Sequence, residues 1–207
     1  MNTVSIQDLP LELPAAKLDK RSRIAAGLDL ADADLLKFNF HLHDVHRDAP
    51  SVDAGQFAEL ASWLRSIPAE TAEATIAERL ARAESLRRML DDPDWQLPEA
   101  LRERGLHLLD YLYRFDDLIP DDQPLLGHLD DALLIELSWP EFEGELRDYQ
   151  DFCRFCREQR VRGSADERRT AWESDCLAQA STILHRLAVR ERGYSRPRPL
   201  SQAFRVC

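Results

Sequence analysis

The stretch Asp116-Asp117-Leu118-Ile119-Pro120-Asp121-Asp122-Gln123-Pro124-Leu125-Leu126-Gly127-His128-Leu129-Asp130-Asp131-Ala132-Leu133 carries the most information in this chain. It lies between two helical patterns and mixes six carboxylates with an apolar framework and two prolines. Pro120 and Pro124 predict a stiff turn, because each ring fixes φ and removes a backbone donor. Gly127 leaves room for close helix packing. Pro124 opens a short apolar helix, Leu125 to Trp139, on this reading. Asp121 and Asp122 then sit near a helix N-terminus, where the macrodipole favours negative charge. Asp130 and Asp131 fall about two turns into that helix, about 100° apart around it.

Upstream the pattern is helical. Leu101, Leu108, Leu109 and Leu112 form an apolar stripe behind Pro98, with Leu106 at its margin. Gly105 lies inside this helix and weakens it by about 1 kcal/mol relative to alanine. Before it, Ile76, Leu80 and Leu86 mark a helix from Pro68 to about Leu90, which Asp91-Asp92-Pro93-Asp94 breaks. Phe57, Leu60, Ala61 and Leu64 mark another, ending ahead of Pro68. Leu35, Phe38, Leu42 and Val45 recur at helical spacing, yet Phe38, Phe40 and Leu42 also alternate as a strand would. Helix is the reading that agrees with everything downstream.

Downstream, Pro140 opens a helix carrying Phe142, Leu146, Tyr149, Cys153 and Cys156 along one side. Gly163 separates it from a last long helix. Ser164 and Glu167 have the spacing of a capping box, in which each side chain satisfies the other's backbone amide. Trp172, Cys176, Leu177, Ala180, Ile183, Leu184 and Leu187 then predict a core-facing stripe, and Gly193 a stop. The expected fold is all-α, a helical bundle of roughly six or seven helices with mobile N- and C-terminal tails. Residues 1–30 read as an extended or mobile lead-in, 31–193 as a single helical domain, and 194–207 as a basic, proline-containing tail.

The chain has 207 residues, with 27 Lys and Arg against 38 Asp and Glu, a net charge of −11. That balance argues against a general nucleic-acid binder, which needs clustered cations for phosphate contacts. No apolar run approaches the ~20 residues that span a bilayer, and no signal peptide opens the sequence. The expectation is a cytoplasmic protein. In that setting Cys153, Cys156, Cys176 and Cys207 read as reduced thiols. Cys153-Arg154-Phe155-Cys156 is formally a C-x-x-C. It falls within a helix and has no second ligand pair, so packing is favoured over a zinc or redox site. The chain holds no phosphate-binding loop, no G-x-S-x-G elbow and no H-E-x-x-H.

Tyr111, Asp117-Leu118-Ile119-Pro120-Asp121, Pro124, Gly127 and Asp130-Asp131 together form a recognisable pattern. The stretch resembles the YkvA-type domain, a bacterial family of uncharacterised function. Its pattern is a tyrosine-containing helix, D-L-I-P-D, then P-x-x-G-x-x-D-D and an apolar helix. The likeness covers about residues 110–138 and implies a helical hairpin there. Phe115 stands where the family has a proline, and Asp122-Gln123 where it is usually apolar. Those departures weaken the transfer of a membrane role.

Two clusters are candidate sites. Asp117, Asp121, Asp130 and Asp131 offer oxygen ligands suited to a divalent cation such as Mg²⁺, Mn²⁺ or Ca²⁺, although the EF-hand spacing is absent. The bland alternative has them capping helices and bonding turn amides. His41, His43 and His46 offer imidazoles, but a third ligand would be needed on one face. No catalytic residue is assigned. The favoured function is a non-enzymatic interaction protein that binds another protein or itself. The alternative is a metal-dependent hydrolase built on the aspartates. A membrane-surface role, through the apolar helix or the arginine tail, comes third.

Overall fold

The computed structural model of the protein describes residues 30–113, 118–120 and 122–191. The fold is all-α, with seven α-helices and no strand among the described residues. The lead-in up to residue 29 and the tail with Gly193 lie outside them. The chain divides into two compact units between Asp151 and Phe152, within the stretch expected to be one domain.

Helix α1 (Asp32–Val45) resolves the ambiguous stretch in favour of the 3.6 period. Leu35, Phe38, Leu42 and Val45 are buried, while Phe40 is 66% exposed. A strand would have put Phe40 on the same face as Phe38 and Leu42. Asn39 continues the face, donating to the Val52 carbonyl at 2.8 Å and accepting from its amide at 2.7 Å. This bridge leads the chain into α2 (Ala54–Ser66), which Asp53 and Gln56 start with a reciprocal capping box. The D-x-x-Q spacing was visible in the sequence, and the stripe of apolar residues alone does not explain where the helix begins. Phe57 stands edge-on to Phe38, with ring centroids 5.2 Å apart.

Pro68 and Pro98 occupy the cap positions of α3 (Ala69–Asp91) and α4 (Glu99–Leu112), one residue ahead of the first helical turn. Helix α4 runs unbroken through Gly105, which packs closely against Leu90 of α3. A Cβ there would lie 3.0 and 3.2 Å from the two methyl carbons of Leu90. The helix-propensity cost is thus tied to the approach of α4 to α3.

The turn after Pro120 differs from the expectation. No helix starts at Pro124: Leu125 has φ of +71°, a left-handed conformation through which an α-helix cannot propagate. Residues 122–128 form successive turns, with Gln123 N bonded to the Pro120 carbonyl and Gly127 N to that of Gln123. Helix α5 (Leu129–Ser138) begins after them. Asp130 and Asp131 are therefore in its first turn rather than two turns in, where the helix dipole favours them.

Helix α5 is buried on all sides, with Leu129, Ala132, Leu133, Leu134 and Ile135 fully inaccessible. It packs against α3, α1 and α4. A short 3-10 turn, Trp139–Glu141, leads through the buried Phe142 into α6 (Glu143–Glu158), whose Leu146 side reaches the core. Trp95 donates its indole N–H to Glu145 at 3.0 Å, and Tyr149 its hydroxyl to Asp92 at 2.9 Å.

In the second unit the expected capping box is present: Ser164 N donates to Glu167 at 2.8 Å, and Glu167 N to the Ser164 hydroxyl at 3.2 Å. Phe152 meets Trp172 edge to face at 6.0 Å. The helix so started, α7 (Ala165–Glu191), is the longest described. Its stripe is not core-facing. Every residue from Leu177 to Leu187 is exposed.

Replacing Asp53 with Ala should lower stability by about 1 kcal/mol in thermal or chemical denaturation, through loss of the carboxylate that accepts from the Gln56 amide. Gly105→Val should cost about 2 kcal/mol, because the added methyls meet Leu90 across the α3–α4 contact.

Candidate functional site

The aspartate turn is held together from within. Asp130 is fully buried, and its Oδ2 accepts from the Leu118 amide at 2.9 Å, the Ile119 amide at 3.2 Å and the Tyr111 hydroxyl at 3.3 Å. One carboxylate so placed fastens the turn to the end of α4 and the start of α5. Charge-assisted bonds of this kind are among the stronger ones in proteins. Asp131, also buried, takes His128 Nδ1 at 3.3 Å. Asp117 and Asp121, the other two candidate ligands, lie outside the described residues. Among the described residues, no group of three or more His, Cys, Asp or Glu is arranged to hold a metal ion.

The histidines diverge. His41 packs against the Tyr111 ring at 5.4 Å, His43 Nε2 bonds the Ala49 carbonyl at 3.1 Å, and His46 Nδ1 bonds the Leu137 carbonyl at 2.8 Å. Each joins α1 to a different neighbour, so they do not converge on one point. Cys153 and Cys156 are half-buried on α6.

Beside the aspartate turn lies a groove of about 340 Å³. Ile76, Leu80, Pro124 and Leu125 supply its apolar wall, with Glu73 and Asp122 at its edge. Near it, Arg79 is only 3% exposed and bonds Glu136 at 3.1 Å, while Arg82 reaches the same carboxylate at 2.9 Å. That cluster ties α3 to α5 and is satisfied internally.

The largest departure from a buried arrangement is on α7. Of the nine large apolar side chains strongly exposed among the described residues, five lie on it from its middle onward: Leu177, Ile183, Leu184, Leu187 and Val189. Leu177 and Leu184 are 72% and 66% exposed. The same end of the chain differs in charge. Twelve of the 27 basic residues but only six of the 38 acidic ones follow Asp151. From Cys176 through Arg190 there is no acidic residue at all. Apolar periodicity could not reveal the exposure, since a stripe waiting for a partner and a stripe facing the core have the same spacing. The charge asymmetry was the available signal.

No family model, no curated protein and no solved structure matches the chain. No helix among the described residues is long and apolar enough to cross a membrane.

Asp130→Ala should destabilise the fold by about 3 kcal/mol, because it leaves buried donors without their acceptor. Asp130→Asn, which keeps a carbonyl oxygen, should cost less than half of that. Equal losses in urea melts of the two variants would show that the acceptor is not what holds the turn.

Proposed function

We propose that this chain is a non-enzymatic helical interaction protein and that the second half of α7 is where a protein partner binds. The observation that carries this reading is a helical segment exposed around its whole circumference that nevertheless bears an apolar stripe. An isolated helix of that length is marginal in water, since most helical stability comes from burying an amphipathic face. Contiguous apolar surface of this kind marks interaction sites. The aspartates serve a different end: Asp130 and Asp131 stabilise the first unit, which supports a scaffold role for that unit rather than a reactive one.

A photo-crosslinking amino acid introduced at Leu184, on the stripe, should join the chain to one polypeptide of defined mass in cells. The same group at Thr182, on the opposite side of α7, should not. Leu184→Asp with Leu187→Asp should reduce the yield of complex at least tenfold, whereas Asp130→Asn should leave it intact. Equal crosslinking from both positions, or none from either, would overturn the reading.

A further inference from the structure

We infer that the groove beside the aspartate turn binds a small organic cation, an ammonium group carried on a hydrocarbon chain or ring. The groove belongs to the first unit and is lined by two segments, residues 73–80 of α3 and the turn 122–128. Ile76, Leu80, Pro124 and Leu125 give it an apolar wall that a hydrocarbon body can cover. Its volume of about 340 Å³ is near the lower end for ligand sites, which suits a small molecule. The turn is fixed from within: Leu125 is left-handed, Gly127 N donates to the Gln123 carbonyl at 2.9 Å, and His128 meets Asp131 at 3.3 Å. A wall already held in place costs little ordering when a ligand arrives.

Charge selects the ligand. Each lining segment brings one exposed carboxylate, Glu73 from α3 and Asp122 from the turn. Among the described residues neither side chain has a hydrogen-bond or ion-pair partner. Further along α3 the carboxylates are matched: Glu78 pairs with Arg79 and Arg82, and Glu84 with Arg87 and Arg88. No Lys or Arg lines the groove among the described residues. None occurs in the sequence between Arg114 and Arg147 either, a stretch that holds ten Asp and Glu. The groove therefore attracts a cation and repels an anion. Exposed ion pairs add little affinity, so the apolar wall holds the body of the ligand and the carboxylates choose its charge. A bare metal ion would leave that wall uncovered.

The test is titration of the full chain with hexylamine, hexanol and hexanoate, followed through its backbone amide signals by NMR. The three probes share a hydrocarbon chain and differ in charge. The expected result is saturable binding that shifts the amides of Ala77, Leu125 and Gly127, tightest for hexylamine, weaker for hexanol and weakest for hexanoate. Glu73→Gln and Asp122→Asn should each weaken hexylamine by about threefold and leave hexanol unchanged. Ala77→Trp, which fills the groove from an exposed position on α3, should abolish binding of every probe while the spectrum remains that of the folded chain. Equal affinity for hexylamine and hexanol would overturn the selection of a cation. Hexylamine binding that survives Ala77→Trp, or no saturation with any probe, would overturn the site itself.

Discussion

Helix α5 is buried around most of its circumference, and the first unit is arranged to cover it. A helix of ten residues with five fully inaccessible apolar side chains has no face to offer to water. It must therefore be enclosed, and α1, α3 and α4 pack against it. Their own stripes are narrower and leave a polar side outward. Gly105 belongs to the same demand, since it lets α4 approach α3 closely enough to close the enclosure.

Enclosing a helix also encloses its ends, and those are polar. Amides at the N-terminus of a helix and in the turn before it need acceptors once water is excluded. The carboxylate of Asp130 meets part of that need by reaching back to Leu118, Ile119 and Tyr111. At the other end, Glu136 receives Arg79 and Arg82 from α3. Removing one member of such a buried pair is costly, because the charge left behind has lost both water and partner. Asp130 and Asp131 thus have a structural account within the turn. Asp130 turns toward amides and a tyrosine hydroxyl, and Asp131 toward a histidine.

The second unit follows the opposite rule. The first half of α7 is started by a capping box and anchored by Trp172 on Phe152, while its second half carries leucines outward into solvent. Helix-forming residues and a good cap favour the helix but do not bury its stripe. The interaction reading grows from that mismatch between local order and missing burial.

Much of the architecture was legible in the amino-acid order. Proline positions and the 3.6 period mark the helices, because proline blocks propagation and amphipathic burial imposes the period. The Ser164–Glu167 cap was legible for the same local reason, and Asp53–Gln56 had equal spacing. Three matters were decided only by tertiary structure. Leu125 turns left-handed and delays α5, which no local preference of leucine indicates. His41, His43 and His46, adjacent in sequence, are drawn to Tyr111, Ala49 and Leu137 by what packs around α1. The stripe of α7 reads as core but stands exposed, because periodicity records which side of a helix is apolar and not whether anything in the chain lies against it.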